Sequence, residues 1–305
     1  MYIIITESCF IMKPNRRTIV EDRCKKAGRT ENMEDKLILY EDRDIIVCHK
    51  KAGIPVQSAR IGQKDMVSIL NNYLAEKRRE AKTDTGRRDV LEPVKVVHRL
   101  DQPVEGVIVF AKTKKAAAGL GRQIVEGSMK KIYHAVCCVT EKASSQEWYE
   151  KIENLMPDEM SDRISSERRQ SRELSGRTYQ LVDYLVRDGR TNTSCVTDKG
   201  KKDAKRAELS YQILNAAEIH KKKYLLAEIE LKTGRHHQIR VQMAHAGLPL
   251  YGDIKYNDGC CGFGRKNPGL ALCAVSLTFC HPVSGKQMTF ETRPEAEIFN
   301  IFSEK

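Results

Sequence analysis

Asp101 follows Val96-Val97-His98-Arg99-Leu100 and precedes Gln102-Pro103, so a strand-like apolar segment delivers a carboxylate into a turn. Taking a carboxylate out of water costs several kcal/mol unless a cation compensates. A guanidinium beside it would hold it ionised, fit to act as nucleophile or base. Arg99, two residues away, lies on the same side of an extended segment. Most buried Asp–Arg pairs are structural, so position alone favours a salt bridge over catalysis.

A second group of donors is packed into Thr233-Gly234-Arg235-His236-His237-Gln238-Ile239-Arg240, at a strand-to-helix junction where free backbone amides favour anions. Arg235 and Arg240 are five apart, about 140° around a helix, so both cannot face one small site. One could hold a carboxylate while the other meets phosphate or packs. His236, His237 and His245 offer donor atoms for zinc, but adjacent histidines diverge on a helix and no suitable acid or thiol accompanies them, so no metal is expected there. Tyr133 reads either as a core aromatic on a strand or as a base-stacking platform. Lys112, Lys114, Lys115, Lys130 and Lys131 around it read either as a solvated face or as a track for an RNA backbone.

Periodicity supplies the elements that must hold these residues. Residues 1–35 keep no helical or alternating period and are expected to be a poorly ordered extension, with Met33 an alternative start. Order is expected from Lys36, where Leu37-Ile38-Leu39-Tyr40 and Ile45-Ile46-Val47 begin. Met66, Ile69, Leu70, Tyr73 and Leu74 share one face of a helix over 65–82, continued to Asp89 by a charged, solvated stretch. Strands at Val94–Val97 and Val107–Phe110 flank Asp101. Thr113 caps a helix with the stripe Ala117, Leu120 and Ile124, which ends at Gly127. Tyr133 falls in a strand over 131–139. Leu225, Ala227, Ile229 and Leu231 alternate as a half-buried strand, and a helix from about His236 to Gly247 turns Ile239, Met243 and Ala246 inward. Residues 141–176, rich in Ser, Glu, Arg and Lys, read as an exposed insertion, and 297–305 as a C-terminal tail. Strands interleaved with helices, without βαβ spacing or a Gly-rich phosphate loop, predict one α+β unit over 36–296.

Composition narrows the partners. Lys and Arg number 53 against 41 Asp and Glu, a net charge of +12 that attracts polyanions such as nucleic acid or anionic lipid. The apolar opening Met1–Ile11 contains Glu7 and lacks a basic region before it and a small-residue cleavage site after it, a poor signal peptide. No stretch approaches the roughly 20 apolar residues of a membrane span, so a cytoplasmic location is expected. The ten cysteines include no C-x-x-C pair, and reduced thiols are expected.

Five landmarks in order then resemble the RluA-type family of RNA pseudouridine synthases over roughly residues 37 to 294. They are LYEDRDIIVCHKKAGIPV (39–56), HRLD (98–101) with Gly106, KIYHAV (131–136), TGRHHQIRVQMAHAGLPLYGDIKY (233–256) and LALCAVSLTFCHPVSGKQMTF (270–290). The resemblance implies a catalytic domain around a central mixed, largely antiparallel sheet with flanking helices. It implies that the N-glycosidic bond of a uridine is cut and the uracil rejoined through carbon 5, with no metal or redox cofactor and no obligatory protein partner. The implied substrate is ribosomal RNA, with transfer RNA the alternative; a non-catalytic RNA-binding or ribosome assembly protein that keeps the fold is the rival reading from another class. Asp101 is then the essential carboxylate, Tyr133 lies against the flipped uracil, Arg99 helps displace the nucleotide, and Arg235, with Arg240 second, pairs with Asp101. His98, Lys131, His237 and Arg240 join Arg99 as RNA contacts. Two departures stand out: Val104-Glu105 where the family commonly has Thr-Ser, and His236 where a small polar residue is common.

Overall fold

A computed structural model describes residues 37–60, 62–85, 92–140, 142, 178–219, 222–257 and 268–302. The N-terminal extension, Met33 and, Lys142 apart, the insertion at 141–176 lie outside the described residues.

The first half of the chain forms β1 (Ile38–Glu41), β2 (Ile45–Lys50), α1 (Met66–Thr85), β3 (Lys95–Val96), β4 (Glu105–Ala111), α2 (Lys114–Glu126) and β5 (Lys130–Cys138). The second half forms β6 (Tyr179–Asp188), β7 (Thr193–Thr197), β8 (Lys205–Ile219), β9 (Lys222–Leu231), α3 (Gln238–His245), β10 (Leu272–Cys280), β11 (Gln287–Glu291) and a 3-10 helix at Glu297–Phe302. The strands make one sheet in the order β1-β2-β4-β10-β5-β9-β8-β6-β7, with β3 on β4 and β11 on β10. The β4–β10 pair is parallel and the others are antiparallel. This is the mixed, largely antiparallel sheet with flanking helices that the resemblance implies.

Helices cover both faces of the sheet. On one face Met66, Ile69, Leu70 and Leu74 of α1 and Ile239 and Met243 of α3 pack with Ile46, Ile108, Phe110, Tyr133 and Leu225. On the other, Ala116 and Leu120 of α2 pack with Ile45, Val47, Val107, Val109 and Phe279. Strands covered on both faces carry near-continuous apolar runs, and β2 and β4 are buried throughout, with His49, Lys50 and Glu105 the polar side chains among them. The ends of α2 follow from its sequence: Thr113 Oγ1 accepts the Ala116 amide at 3.2 Å, and Gly127 closes the helix with φ 72°.

Two expectations change. Residues 297–302 are not a tail, because Ile298 and Phe299 are buried against Val136, Cys138, Tyr224, Tyr251 and Ala271. The third helix begins two residues late, at Gln238, since His237 adopts φ 52° and cannot be its first turn.

Gly106 fixes the parallel junction next to Asp101. It has φ 123°, and a Cβ there would lie 2.4 Å from the Ala274 carbonyl oxygen and 2.5 Å from its nitrogen. Ala274 is its register partner on β10. Gly106→Ala is therefore expected to cost about 2 kcal/mol or more in urea unfolding; an unchanged midpoint would contradict this close approach.

Candidate active site

Asp101 is gripped from both sides. Leu100 and Val104 are buried, and the Val104 amide donates to the Asp101 carbonyl at 3.0 Å, closing the turn into β4. His98 pins the segment from behind, its Nε2 accepting the Val109 amide at 3.2 Å. That bond requires a neutral ring protonated at Nδ1, and burial together with nearby Lys131 takes the His98 pKa down to about 3.

Lys50 supports the same turn. It is fully buried, and its Nζ donates to the carbonyls of Lys51 at 3.0 Å, Ile54 at 2.7 Å and Gln102 at 3.1 Å. The Gly53 amide also donates to the Gln102 carbonyl at 2.9 Å. The residue after Asp101 is thus tied to the loop after β2. Burial pulls Lys50 down to about 8, against the charges of Asp101 and Glu105.

Two side chains of the His237–Tyr256 region face the carboxylate. Arg240 Nη1 lies 3.7 Å from Asp101 Oδ2, and His237 Nε2 lies 3.7 Å from the same oxygen. The Arg240 fork itself is spent on Asp253, with Nε to Oδ2 at 2.7 Å and Nη2 to Oδ1 at 2.6 Å. Tyr256 completes the frame: Arg240 stacks over its ring at 5.1 Å, and its hydroxyl accepts the Ser194 amide and meets His237 Nδ1, both at 2.8 Å. With the hydroxyl donating to Nδ1, the imidazole keeps its proton on Nε2, toward Asp101. Burial and the Arg240 charge take His237 down to about 3, so the ring is neutral.

Asp101 keeps 29% of its side chain exposed, so it opens to solvent. Burial raises its carboxyl above the usual value, and Arg240 and Lys50 only partly oppose this. The reason is geometric: a guanidinium committed bidentately to Asp253 is left with one distant nitrogen for Asp101. Tyr133 is 6% exposed on β5, and burial plus the nearby Asp101 charge raises its hydroxyl well above the ordinary range.

The structure thus brings Asp101, Tyr133, His237 and Arg240 together and leaves Arg235 apart. Arg235 precedes the helix rather than opening it, is exposed, and gives its Nε proton to the Arg206 carbonyl at 2.9 Å. The guanidinium beside Asp101 is that of Arg240. Arg99 is exposed and reaches Gln57 Oε1 at 3.2 Å. Lys131 is half-buried on β5, and burial lowers its pKa. Lys50, Asp253 and Tyr256 went unnoticed in the sequence. Lys50 lies just past the apolar run Ile45–Cys48 and Asp253 follows Leu248-Pro249-Leu250-Tyr251-Gly252, charges at the edge of apolar runs within the landmark segments, and that is the available signal.

Arg235→Ala is expected to leave stability within about 0.5 kcal/mol and to spare turnover. A loss of turnover as large as that of an Asp101 variant would restore Arg235 to the site.

His236 falls to about 4 through burial and the charges of Arg187, Lys255 and Arg240, so three imidazoles resist protonation in the folded state. Unfolded histidines take up protons near pH 6.5. Their contribution to stability is therefore complete above about pH 6.5 and is lost as pH falls toward 3–4. The urea midpoint should drop between pH 7.5 and 5, with a shallower drop in His237→Gln; equal slopes would remove His237 as a cause.

Among solved structures, the fold is similar to human RNA pseudouridylate synthase domain containing 4 at TM-score 0.57 and 20% identity, covering 88% of this chain and 92% of that one. Among curated sequences, a tRNA pseudouridine synthase C of Pectobacterium carotovorum is 26% identical over 85% of this chain, which spans 59% of that protein's length. A ribosomal large subunit pseudouridine synthase D of Zymomonas mobilis is 29% identical over 87% of this chain and 71% of its own length. The family model described as RNA pseudouridylate synthase matches residues 44–245, more than half of the chain, and the protein belongs to that family of RNA-modifying isomerases.

Proposed function

We propose that this protein isomerises uridine to pseudouridine in structured large-subunit ribosomal RNA, in the cytoplasm. The observation that carries the reading is Asp101 itself: a partly solvent-open carboxylate, held in a closed turn with a guanidinium and a neutral imidazole each 3.7 Å from one oxygen. The reaction leaves the ribose electron-poor or deprotonated at carbon, and it needs one positioned anion in a largely dry site. Asp101 supplies that anion. Arg240 and the Nε2–H of His237 keep its free oxygen oriented, and Lys50 holds the turn from which it projects.

The target base must leave its stack, at a cost of a few kcal/mol. Tyr133 is the surface on which uracil rests. Arg99 at the rim and Lys131 beside His98 meet the displaced strand, and Arg187 and Lys255, whose charges reach His236 and His237, extend the cationic border. Asp101 and Tyr133 are catalytic in this reading, and His98, Lys50 and Arg240 are positioning residues. Ribosomal RNA is preferred because a catalytic unit this basic can grip extended RNA unaided; relatives bear both ribosomal and transfer RNA names.

Mapping pseudouridine chemically in total RNA from cells with and without the gene tests substrate and reaction together. A site lost from large-subunit ribosomal RNA is expected. Loss confined to transfer RNA would overturn the target, and no loss anywhere would overturn the activity.

A further inference from the structure

A second cluster of titratable groups lies on the far side of Glu105, four residues after Asp101. His49 comes from β2, Glu105 opens β4, and Glu295 lies between β11 and the 3-10 helix. One side-chain donor atom from each falls within 4.8 Å of the others.

His49 decides how this cluster reads. It is 6% exposed, and its Nδ1 meets Thr292 Oγ1 at 2.6 Å. Its Nε2 is buried and has no hydrogen-bond partner among the described residues. The nearest carboxylate, Glu295 Oε1, stands at 3.6 Å, too far for a hydrogen bond. A buried imidazole nitrogen without a partner forfeits its solvation for nothing, and native structures rarely leave one so. With Nδ1–H donated to Thr292, the unshared lone pair is on Nε2, the arrangement in which histidines bind metals.

The two acids are also arranged. Glu105 is 4% exposed, and its Oε1 accepts the amides of Glu295 at 2.9 Å and Ala296 at 3.4 Å. Those bonds hold Glu295 in place beside His49 and leave Glu105 Oε2 as the second donor. The contrasting cluster of Asp42, Asp44 and His281 is satisfied internally: His281 Nε2 meets Asp42 Oδ2 at 2.9 Å, and Asp42 Oδ1 takes the amides of Asp44 and Ile45.

We propose that His49, Glu105 and Glu295 hold a divalent transition-metal ion. One imidazole and two carboxylates suit Zn²⁺, Mn²⁺, Fe²⁺ or Co²⁺, with water completing the shell. The ion replaces the missing partner of Nε2 and offsets the charge of buried Glu105 and of Glu295 beside it. Lys51, 3.8 Å from Glu295 and 47% exposed, swings out to solvent as the ion enters. Glu295, 53% exposed, forms the entrance. The role of the ion is structural: it clamps the start of β4 to the segment after β11, apart from the chemistry at Asp101.

The test is a Co²⁺ titration of the metal-stripped full chain, read by visible absorption and thermal unfolding. The expected result is one Co²⁺ per chain, without a thiolate charge-transfer band, and an unfolding temperature that rises with Co²⁺. Thr292→Val, which frees the ring, should weaken uptake on the order of 10–100-fold, and Glu295→Gln at least as much. Glu295 is half-exposed, so that variant should fold, with circular dichroism as the check; His49→Gln repeats the test from the buried side. No saturable uptake, uptake with a thiolate band, or uptake equal in wild type and Glu295→Gln would each overturn the site.

Discussion

Asp101→Asn should abolish pseudouridine formation, lowering turnover by about 10³-fold or more, while the protein unfolds at the same urea concentration as the wild type or a slightly higher one. The two halves of this expectation have one cause. Asn keeps the shape of the turn, and the Val104-to-Asp101 bond at 3.0 Å uses only backbone atoms. What it removes is a negative charge that burial penalises: the carboxyl is raised in the folded state. A raised acid destabilises the fold once it ionises above its unfolded pKa, so deleting the charge at neutral pH relieves the fold. A structural salt bridge would behave oppositely, with stability and activity falling together. Single-turnover assays on a pseudouridine-free transcript, with unfolding curves of both proteins, separate the cases. In the wild type, the acid limb of kcat/KM should lie above the ordinary aspartate value of about 3.9.

Position alone favours a salt bridge for Asp101, and the catalytic role comes from the resemblance; the contacts around the carboxylate, Arg240 and His237 each at 3.7 Å, are ones that no local pattern carries. The strand containing Tyr133, the Thr113 cap, the Gly127 stop and the apolar face of α1 were legible because each is set by residues within a few positions of one another. The partner of Asp101 was not. The resemblance puts Arg235 ahead of Arg240, but His237 at φ 52° delays the helix to Gln238. Buried Gln238 then takes the Thr233 hydroxyl at 2.8 Å and the Arg235 amide at 2.9 Å, which turns Arg235 outward. Lys50 acts on carbonyls up to 52 positions away, and Asp253 meets Arg240 across 13; such pairings follow from tertiary closure, not period. In the ribbon β6–β8 the signal was present, since Ala207, Leu209, Tyr211 and Ile213 alternate inward along β8. It went unread because its polar neighbours resemble the charged stretch before it.

Arg240→Met should be the most damaging single change to the fold near the site, costing about 3–5 kcal/mol in urea unfolding. Arg240 and Asp253 have side chains only 5% and 0% exposed, so removing the guanidinium strands a carboxylate that neither water nor another cation can reach. Met keeps a long, unbranched apolar side chain against the Tyr256 ring, so the loss reflects charge more than a cavity. The double variant Arg240→Met/Asp253→Asn removes both charges and should recover most of that stability, because two neutral groups no longer need each other. Activity should not return with it: Asp101 would still lack the only cation within 4 Å of its carboxylate among the described residues. A double variant that regains both stability and turnover would make Arg240 a brace for Asp253 and nothing more. One that regains stability alone places Arg240 in the service of Asp101, with the Asp253 pair as the means by which a long, flexible side chain is held still 3.7 Å from the oxygen it must orient.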